Sequence, residues 1–124
     1  MEAQSKLLVW NYTAEEKRSL DALLHEIGAP PAESIEPTRA HLTLREIIAG
    51  TGAAGDRLGS DEKVLLFHAV PEKGVRFLLQ IFREAKLPRP IYAVVTEHSI
   101  EWPFHELLEH LVDERNRMEK RSSS

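Results

Sequence analysis

The chain has 124 residues, of which 42% are hydrophobic and 29% charged, and its formal net charge at pH 7 is −4. This length fits a single domain, which we place at residues 1–121 with a disordered tail at 122–124. The absence of cysteine excludes disulfides, thiolate metal sites and thiol catalysis. The negative charge disfavours a nucleic acid as partner, because binding to phosphate needs an excess of basic side chains.

No apolar run approaches the roughly 18 residues that a transmembrane helix needs. The first five residues lack the basic flank and the apolar core of a signal peptide. We therefore expect a cytoplasmic protein of bacterial type with no membrane partner.

The first half of the chain predicts two strands and two helices. The apolar run at 6–10 is typical of a buried strand. A helix then begins at Thr13, which forms a capping-box pattern with Glu16, and extends to about Ile27. Gly28 and the two prolines that follow end this helix.

A weak second strand at 33–36 would lie at a sheet edge, because it offers only Ile35 for burial. The Thr43 hydroxyl can cap a short helix that continues to Ile48. The stretch 50–62 is rich in glycine and polar residues, which predicts a flexible connector between the two halves.

The second half predicts the same order of elements. A strand at 63–70, a helix from Pro71 to about Leu87, a strand at 91–96 and a last helix after Trp102 follow one another. The first of these two helices has a wide apolar face, because Phe77 and Ile81 add a second stripe to it. These two residues either form a patch for a homodimer or another protein partner, or are buried in the core.

The two halves are therefore similar to each other. Similar runs open them, at 6–10 and 63–67, and similar runs close them, at 42–48 and 102–108. This self-similarity predicts an internal repeat of residues 6–48 and 63–111. The fold class that we predict is α/β: two tandem βαβα units, related by a pseudo-two-fold, share one four-stranded sheet with helices packed on it. Each strand–helix–strand connection should be parallel and right-handed, but the relative direction of the halves is not readable from the sequence.

The second half also resembles a known family. The segments that carry the resemblance are Val64–Phe67, Ala93–Thr96, Trp102 and Glu106–Glu109. Over roughly residues 64–111 they resemble an uncharacterised bacterial family, domain of unknown function 3783. The chain departs from that pattern in Pro103 and Phe104 after the tryptophan and in His98 within the loop, and Leu42 stands where the first half would have the tryptophan. The resemblance implies a small cytoplasmic domain and no particular activity.

Two local motifs suggest cofactors, but their context argues against both. The run His105–His110 resembles the six-residue zinc motif of the dipeptidyl peptidase III family, with Glu109 in place of its glycine. On a helix, positions i and i+5 lie on opposite flanks, which favours two surface histidines over a metal site. The pattern G-x-G-x-x-G at 50–55 neither follows a strand nor opens a helix, which favours a linker over a dinucleotide site. We predict no metal and no cofactor.

The architecture itself indicates a ligand site, since ligands in open α/β sheets lie beyond the carboxyl ends of the strands. The residues that we predict there are Asn11, Tyr12, His68, Thr96 and His98. The competing interpretation is that His68 is a half-buried strand residue and that the loop residues form caps. We expect a small binding or regulatory module with no assigned catalytic activity. The alternative is a small enzyme that uses His68 and His98 as acid/base groups in a cleft between the halves.

Overall fold

The computed structural model describes residues 5–85, 87 and 89–122, with side chains described as far as Glu119. The strands and helices are β1 (Lys6–Trp10), α1 (Ala14–Glu26), β2 (Glu33–Ile35), α2 (Leu44–Ala49), β3 (Val64–His68), α3 (Glu72–Glu84), β4 (Ile91–Val94) and α4 (Phe104–Ser122). One turn of 3-10 helix precedes α2 at Pro37–Arg39, and another precedes α4 at Ser99–Glu101. All the predicted strands and helices are therefore present, in the predicted order.

The four strands form one mixed sheet in the order β2-β1-β3-β4. Strand β1 pairs in parallel with β2, and β3 pairs in parallel with β4. The central pair, β1 and β3, is antiparallel, with Lys6 opposite His68 and Trp10 opposite Val64. The α/β class and the single four-stranded sheet are thus confirmed. The antiparallel centre also means that the carboxyl ends of β1 and β2 lie at one end of the sheet, and those of β3 and β4 at the other.

The core occupies both faces of the sheet, because successive strand residues point to opposite sides. One face packs against α1 and α3 around these buried side chains: Leu7, Val9, Leu20, Leu24, Leu65, Phe67, Leu78 and Phe82. The other face packs against α2 and α4 around these: Leu8, Trp10, Leu44, Ile47, Val64, Leu66, Phe104, Leu107 and Leu108. Each face draws on both halves of the chain, so neither half has a core of its own.

The starts of α2 and α4 are joined to each other by reciprocal backbone hydrogen bonds. The amide of Leu44 donates to the carbonyl of Trp102 at 3.0 Å, and the amide of Phe104 donates to the carbonyl of Leu42 at 2.9 Å. The side chains of Leu44 and Phe104 are completely buried. This contact fixes the two helix starts beside each other on one face of the sheet.

The connector between the halves is held against the protein surface. The amide of Gly55 donates to Thr38 at 2.7 Å, and that of Leu58 donates to Pro37 at 3.0 Å. The segment 50–62, where we predict a flexible connector, is therefore attached to the rest of the protein by backbone hydrogen bonds. The carbonyls of the 3-10 turn that precedes α2 accept these bonds and fix the path of the segment.

Several predicted boundaries need correction. Strand β3 ends at His68, before Val70, because Ala69 has a positive φ of 55° and leaves the extended conformation. The predicted end of the third helix near Leu87 falls partly on residues 86 and 88, which lie outside the described residues. The last helix continues through Ser122, and the rest of the predicted tail, 123 and 124, also lies outside them.

Among the described residues, no helix combines the length and the apolar composition that crossing a lipid bilayer requires.

Two phenylalanine truncations test the position of the core. Phe104 is 0% exposed and Phe77 is 54% exposed. We expect Phe104→Ala to lower the free energy of unfolding by about 3–5 kcal/mol, because it leaves a cavity between α4 and the sheet. Phe77→Ala, the matched control, should lower it by less than about 1 kcal/mol. Urea unfolding monitored by circular dichroism measures both, and equal losses would contradict the packing described here.

Candidate functional site at the carboxyl ends of the first two strands

The structure divides the predicted site residues into two groups. Asn11 and Tyr12 follow the carboxyl end of β1, whereas His68 and Thr96 lie near the carboxyl ends of β3 and β4. Because β1 and β3 are antiparallel, these groups lie at opposite ends of the sheet, and His98 belongs with the second group. The set therefore does not form one cleft between the halves. The residue that directly follows β3 is Ala69, and it shares the positive φ of Asn11, the residue that directly follows β1.

A cleft of about 530 Å³ lies at the carboxyl ends of β1 and β2. Its walls come from the two strand ends, from the start of α1 and from residues 57–60 of the connector. The polar or aromatic side chains at this cleft belong to Trp10, Asn11, Tyr12, Thr13, Lys17, Ser34, Glu36, Arg57 and Ser60. A volume of this size is typical of sites for small ligands.

Asn11 shapes the cleft through its backbone and its amide. Its φ is 65°, a left-handed conformation that asparagine tolerates better than most residues. Its Nδ2 donates to the carbonyls of Ser60 at 2.7 Å and Glu62 at 3.1 Å. The side chain predicted to bind ligand therefore holds the connector against the strand end and positions one wall of the cleft.

Lys63 lies beneath this wall of the cleft and contacts three of the residues around it. Its Nζ donates to the carbonyl of Asn11 at 2.9 Å and to Oε1 of Glu16 at 2.8 Å. The same ammonium lies 5.8 Å from the centroid of the Tyr12 ring, within the range of a cation–π contact. One cation thus joins the end of the connector, the end of β1 and the first turn of α1.

The pKa shifts of Glu16 and Tyr12 follow from this arrangement. The hydrogen bond from Lys63 lowers the pKa of Glu16, and the backbone hydrogen bond from Thr13 lowers it further. Burial raises the pKa of the Tyr12 phenol, so this hydroxyl stays neutral at physiological pH. The predicted capping box of Thr13 and Glu16 is present, with the Glu16 amide donating to Thr13 Oγ1 at 3.1 Å.

Trp10 contributes a buried donor to the same region. Its side chain is 2% exposed, its ring centroid lies 5.0 Å from that of Phe104, and it lines the cleft. Its Nε1 is buried and has no hydrogen-bond partner among the described residues. An unpaired buried donor costs free energy, and such a group is commonly satisfied by water or a ligand.

The rim of the cleft carries charges of both signs. Arg57 and Glu36 are exposed, and neither forms an ion pair within the described part of the chain. Lys17 pairs instead with Asp21, Nζ to Oδ2, at 2.7 Å. The rim can therefore offer one free guanidinium and one free carboxylate to a ligand.

At the opposite end of the sheet, the predicted residues serve the local structure. The Thr96 hydroxyl donates to Ser99 Oγ at 3.1 Å and accepts the Ser99 amide at 3.0 Å, which closes the turn before α4. His68 is half-buried, and burial, followed by the nearby charge of Lys6, lowers its pKa. His98 is exposed. Within the described residues, no carboxylate contacts His68 to orient it as an acid or base.

The two histidines of the zinc-like motif lie in different surroundings. His105 lines a second cleft, of about 500 Å³, beside Glu109 and residues 58–60. His110 is exposed, and its Nε2 lies 3.0 Å from Glu114. Among the described residues, no group of three or more histidines or acidic residues is placed to hold a metal ion.

The glycine motif at 50–55 opens no helix in the structure. Gly50 ends α2 in a left-handed conformation, and the segment from there to β3 is irregular. The motif thus lies in the irregular segment between α2 and β3.

Sequence reasoning missed Lys63, Glu36 and Arg57. The sequence predicts Lys63 only as the first residue of a strand, because its partners Asn11 and Glu16 lie far away along the chain. The register that sets Trp10 opposite Val64 brings Lys63 next to Asn11, and no local pattern encodes that register.

A double-mutant cycle tests the Lys63–Glu16 pair. We expect Glu16→Gln and Lys63→Met each to lower the free energy of unfolding by about 1 kcal/mol, and the double variant to lose less than the sum. The exposed pair Arg76–Glu72, with its atoms 3.2 Å apart, is the matched control. Glu72→Gln there should have almost no effect. Strict additivity at Glu16 and Lys63 would contradict the coupling.

The same pair has a pH signature. Because the pKa of Glu16 is lowered from 4.5 in the folded state, its contribution is present above that value and is lost as the pH falls through the folded pKa. The stability difference between wild type and Glu16→Gln should therefore shrink in acid.

His68 provides a second pH test. Its folded pKa lies below the ordinary value of 6.5, so the unfolded chain binds the proton more readily than the folded one. The wild type should therefore lose stability as the pH falls below 6.5. His68→Gln should remove part of this loss, and Lys6→Met should reduce it less, because burial is the larger cause of the shift. Urea unfolding at neutral and mildly acidic pH measures the effect. If the free energy of unfolding of His68→Gln depended on pH as steeply as that of the wild type, the prediction would be contradicted.

The comparisons with known proteins concern the later part of the chain. Residues 63–118 match a family model described as Domain of unknown function (DUF3783). The match covers β3, α3, β4 and most of α4, and it confirms the resemblance predicted for about residues 64–111. No curated protein and no solved structure matches the chain. Residues 63–118, which contain half of the sheet and most of α4, are thus similar to the DUF3783 family.

Proposed function

We propose that this protein is a small cytoplasmic binding module, without catalytic activity, that holds a small polar ligand in the cleft at the carboxyl ends of β1 and β2. The observation that carries the proposal is the cleft itself, about 530 Å³ in volume and lined by side chains of mixed polarity. Ligand sites in open α/β sheets lie at the carboxyl ends of strands, where this cleft lies.

The chemistry of the walls indicates the class of ligand. Arg57 at the rim lacks an anion, so the cleft favours a ligand with a carboxylate or a similar acceptor. Glu36 favours an amine or another donor on the same molecule. A small zwitterion or a compact amino carboxylate would pair with both of these side chains.

The connector supports a regulatory role for this module. Residues 58–60 line both the ligand cleft and the second cleft against α4. Asn11 and Lys63 hold this segment and its continuation at the strand end. A ligand that displaces residues 57–60 would therefore change the surface that the second cleft presents to a partner.

The proposed origin of the fold is a duplicated βαβα unit with a pseudo-two-fold between the copies. Both α1 and α3 have 13 residues. One constant offset in residue number separates Lys6 from Val64, Ala14 from Glu72, and Glu33 from Ile91. The parallel pairing within each half and the antiparallel central pair support this origin.

Ligand binding is tested by thermal shift with a panel of small amino carboxylates and simple carboxylates. A ligand at 100 times its dissociation constant should stabilise the protein by about 2.7 kcal/mol. Arg57→Ala and Glu36→Gln should abolish that shift, because they remove the free charges of the rim. In a Trp102→Phe background, the fluorescence of Trp10, the remaining tryptophan, should change on binding.

His98→Ala is the control at the opposite end of the sheet, and it should leave the shift unchanged. Stabilisation that disappears in His98→Ala and persists in Arg57→Ala would place the ligand at the other end and refute the proposal. A panel with no stabilising compound would count against a small amino carboxylate as the ligand.

A further inference from the structure

The outer edge of β4 is an unpaired sheet edge in the described part of the chain. The amide of Ile91 donates to Lys63 at 2.8 Å, and that of Val95 donates to Phe67 at 2.9 Å, so this set of alternate residues faces β3. The backbone groups of Tyr92 and Val94 therefore point away from the sheet. Among the strands of the described residues, none lies beyond β4 in the sheet order.

This edge lacks the features that usually prevent strand addition. Strand β4 has the uncharged sequence Ile-Tyr-Ala-Val, and the side chain of Val94 is 50% exposed. The opposite edge, β2, has 3 residues, and its Glu33 pairs with Lys6 at 3.2 Å. Short length and charge disfavour the addition of another strand at a sheet edge, so β4 and not β2 is open to a partner.

We propose that β4 pairs in antiparallel fashion with β4 of a second copy of this chain, about a two-fold axis through Ala93. In this register Tyr92 lies opposite Val94 of the second copy. These are the two residues whose amides and carbonyls face outward, so the register uses all of those groups. The exposed Val94 side chain then packs on the Tyr92 ring across the axis, on the sheet face of α3.

Charge complementarity selects the second copy as the occupant. Arg89 precedes β4 and Glu97 follows it, and both are exposed without an ion pair among the described residues. A pairing centred on Ala93 sets Arg89 of each copy opposite Glu97 of the other. The same strand thus carries both members of a reciprocal pair, as a two-fold interface requires.

The ends of β4 limit the pairing to this short stretch. Pro90 has no amide hydrogen to donate, and the amide of Thr96 already donates to Ser99 Oγ at 2.9 Å. In the dimer the outer edge of each β4 is paired with the other, and β2 is too short and too charged to add a strand. The assembly therefore stops at two copies. The contact is small, so we expect a weak dimer whose population depends on concentration.

Sedimentation velocity and light scattering of the full chain over a concentration series test this proposal. The expected result is a shift from a 14.1 kDa species toward twice that mass. Val94→Lys should abolish the shift, because it sets a charge in the apolar strip. Arg89→Glu and Glu97→Arg should each weaken association about tenfold. The double variant should restore association, because the reciprocal pair is re-formed with its signs exchanged.

Phe77→Lys is the control on the exposed face of α3, where we also predict a partner surface from the sequence, and it should leave the dimer intact. Hydrogen exchange gives a residue-level readout: the amides of Tyr92 and Val94 should gain protection with concentration, while that of Ala93 should not depend on it. A 14.1 kDa species at every concentration overturns the proposal. A dimer that survives Val94→Lys, or that Phe77→Lys alone disrupts, also overturns it. If Val94→Lys fails to fold, the variants of Arg89 and Glu97, which lie outside the strand, test the dimer in its place.

Discussion

The structure depends on the antiparallel pairing of β1 with β3 at the centre of the sheet. These two strands are almost entirely buried, and their alternating side chains form both halves of the core. A slip of one residue in this register would turn each strand's side chains to the wrong face, so burial on both faces specifies it strongly. Each half of the chain contributes one central strand and one edge strand, and neither half can bury its own sheet without the other.

The same pairing decides where chemistry can occur. Parallel strands bring their carboxyl ends together, but the antiparallel centre sends the two parallel pairs in opposite directions. The molecule therefore has two separate strand-end regions. The first is closed by the connector, whose attachment to Asn11 and Lys63 builds a cleft. At the second, Thr96 and Ser99 satisfy each other and close a turn.

The cleft shows how a polar cluster can couple distant parts of a short chain. Lys63 stands one residue before β3 and reaches the end of β1 because the register sets Trp10 opposite Val64. Its ammonium then satisfies a strand-end carbonyl and the carboxylate that caps α1. Arg115 of α4 holds the neighbouring Glu62 with two hydrogen bonds. Two helices, a strand end and the connector thus meet at adjacent residues, beside the cleft where we propose that a ligand binds.

The sequence alone determined the strands and helices, their order and the α/β class. The signals that specify them are the spacing of apolar residues, the helix caps and the prolines and glycines that end helices, and all of these act over a few neighbouring residues. Thr13 with Glu16, and Thr43, act within one helical turn, and each caps its helix as predicted. The tertiary structure alone decided the direction in which the halves meet, and therefore that Asn11 and His68 lie at opposite ends of the sheet. It also decided that Lys63 contacts Glu16, and that Phe77 is exposed while Ile81 is partly buried. These outcomes depend on contacts between residues far apart in the chain, and an apolar strand pattern reads the same whichever way its neighbour runs.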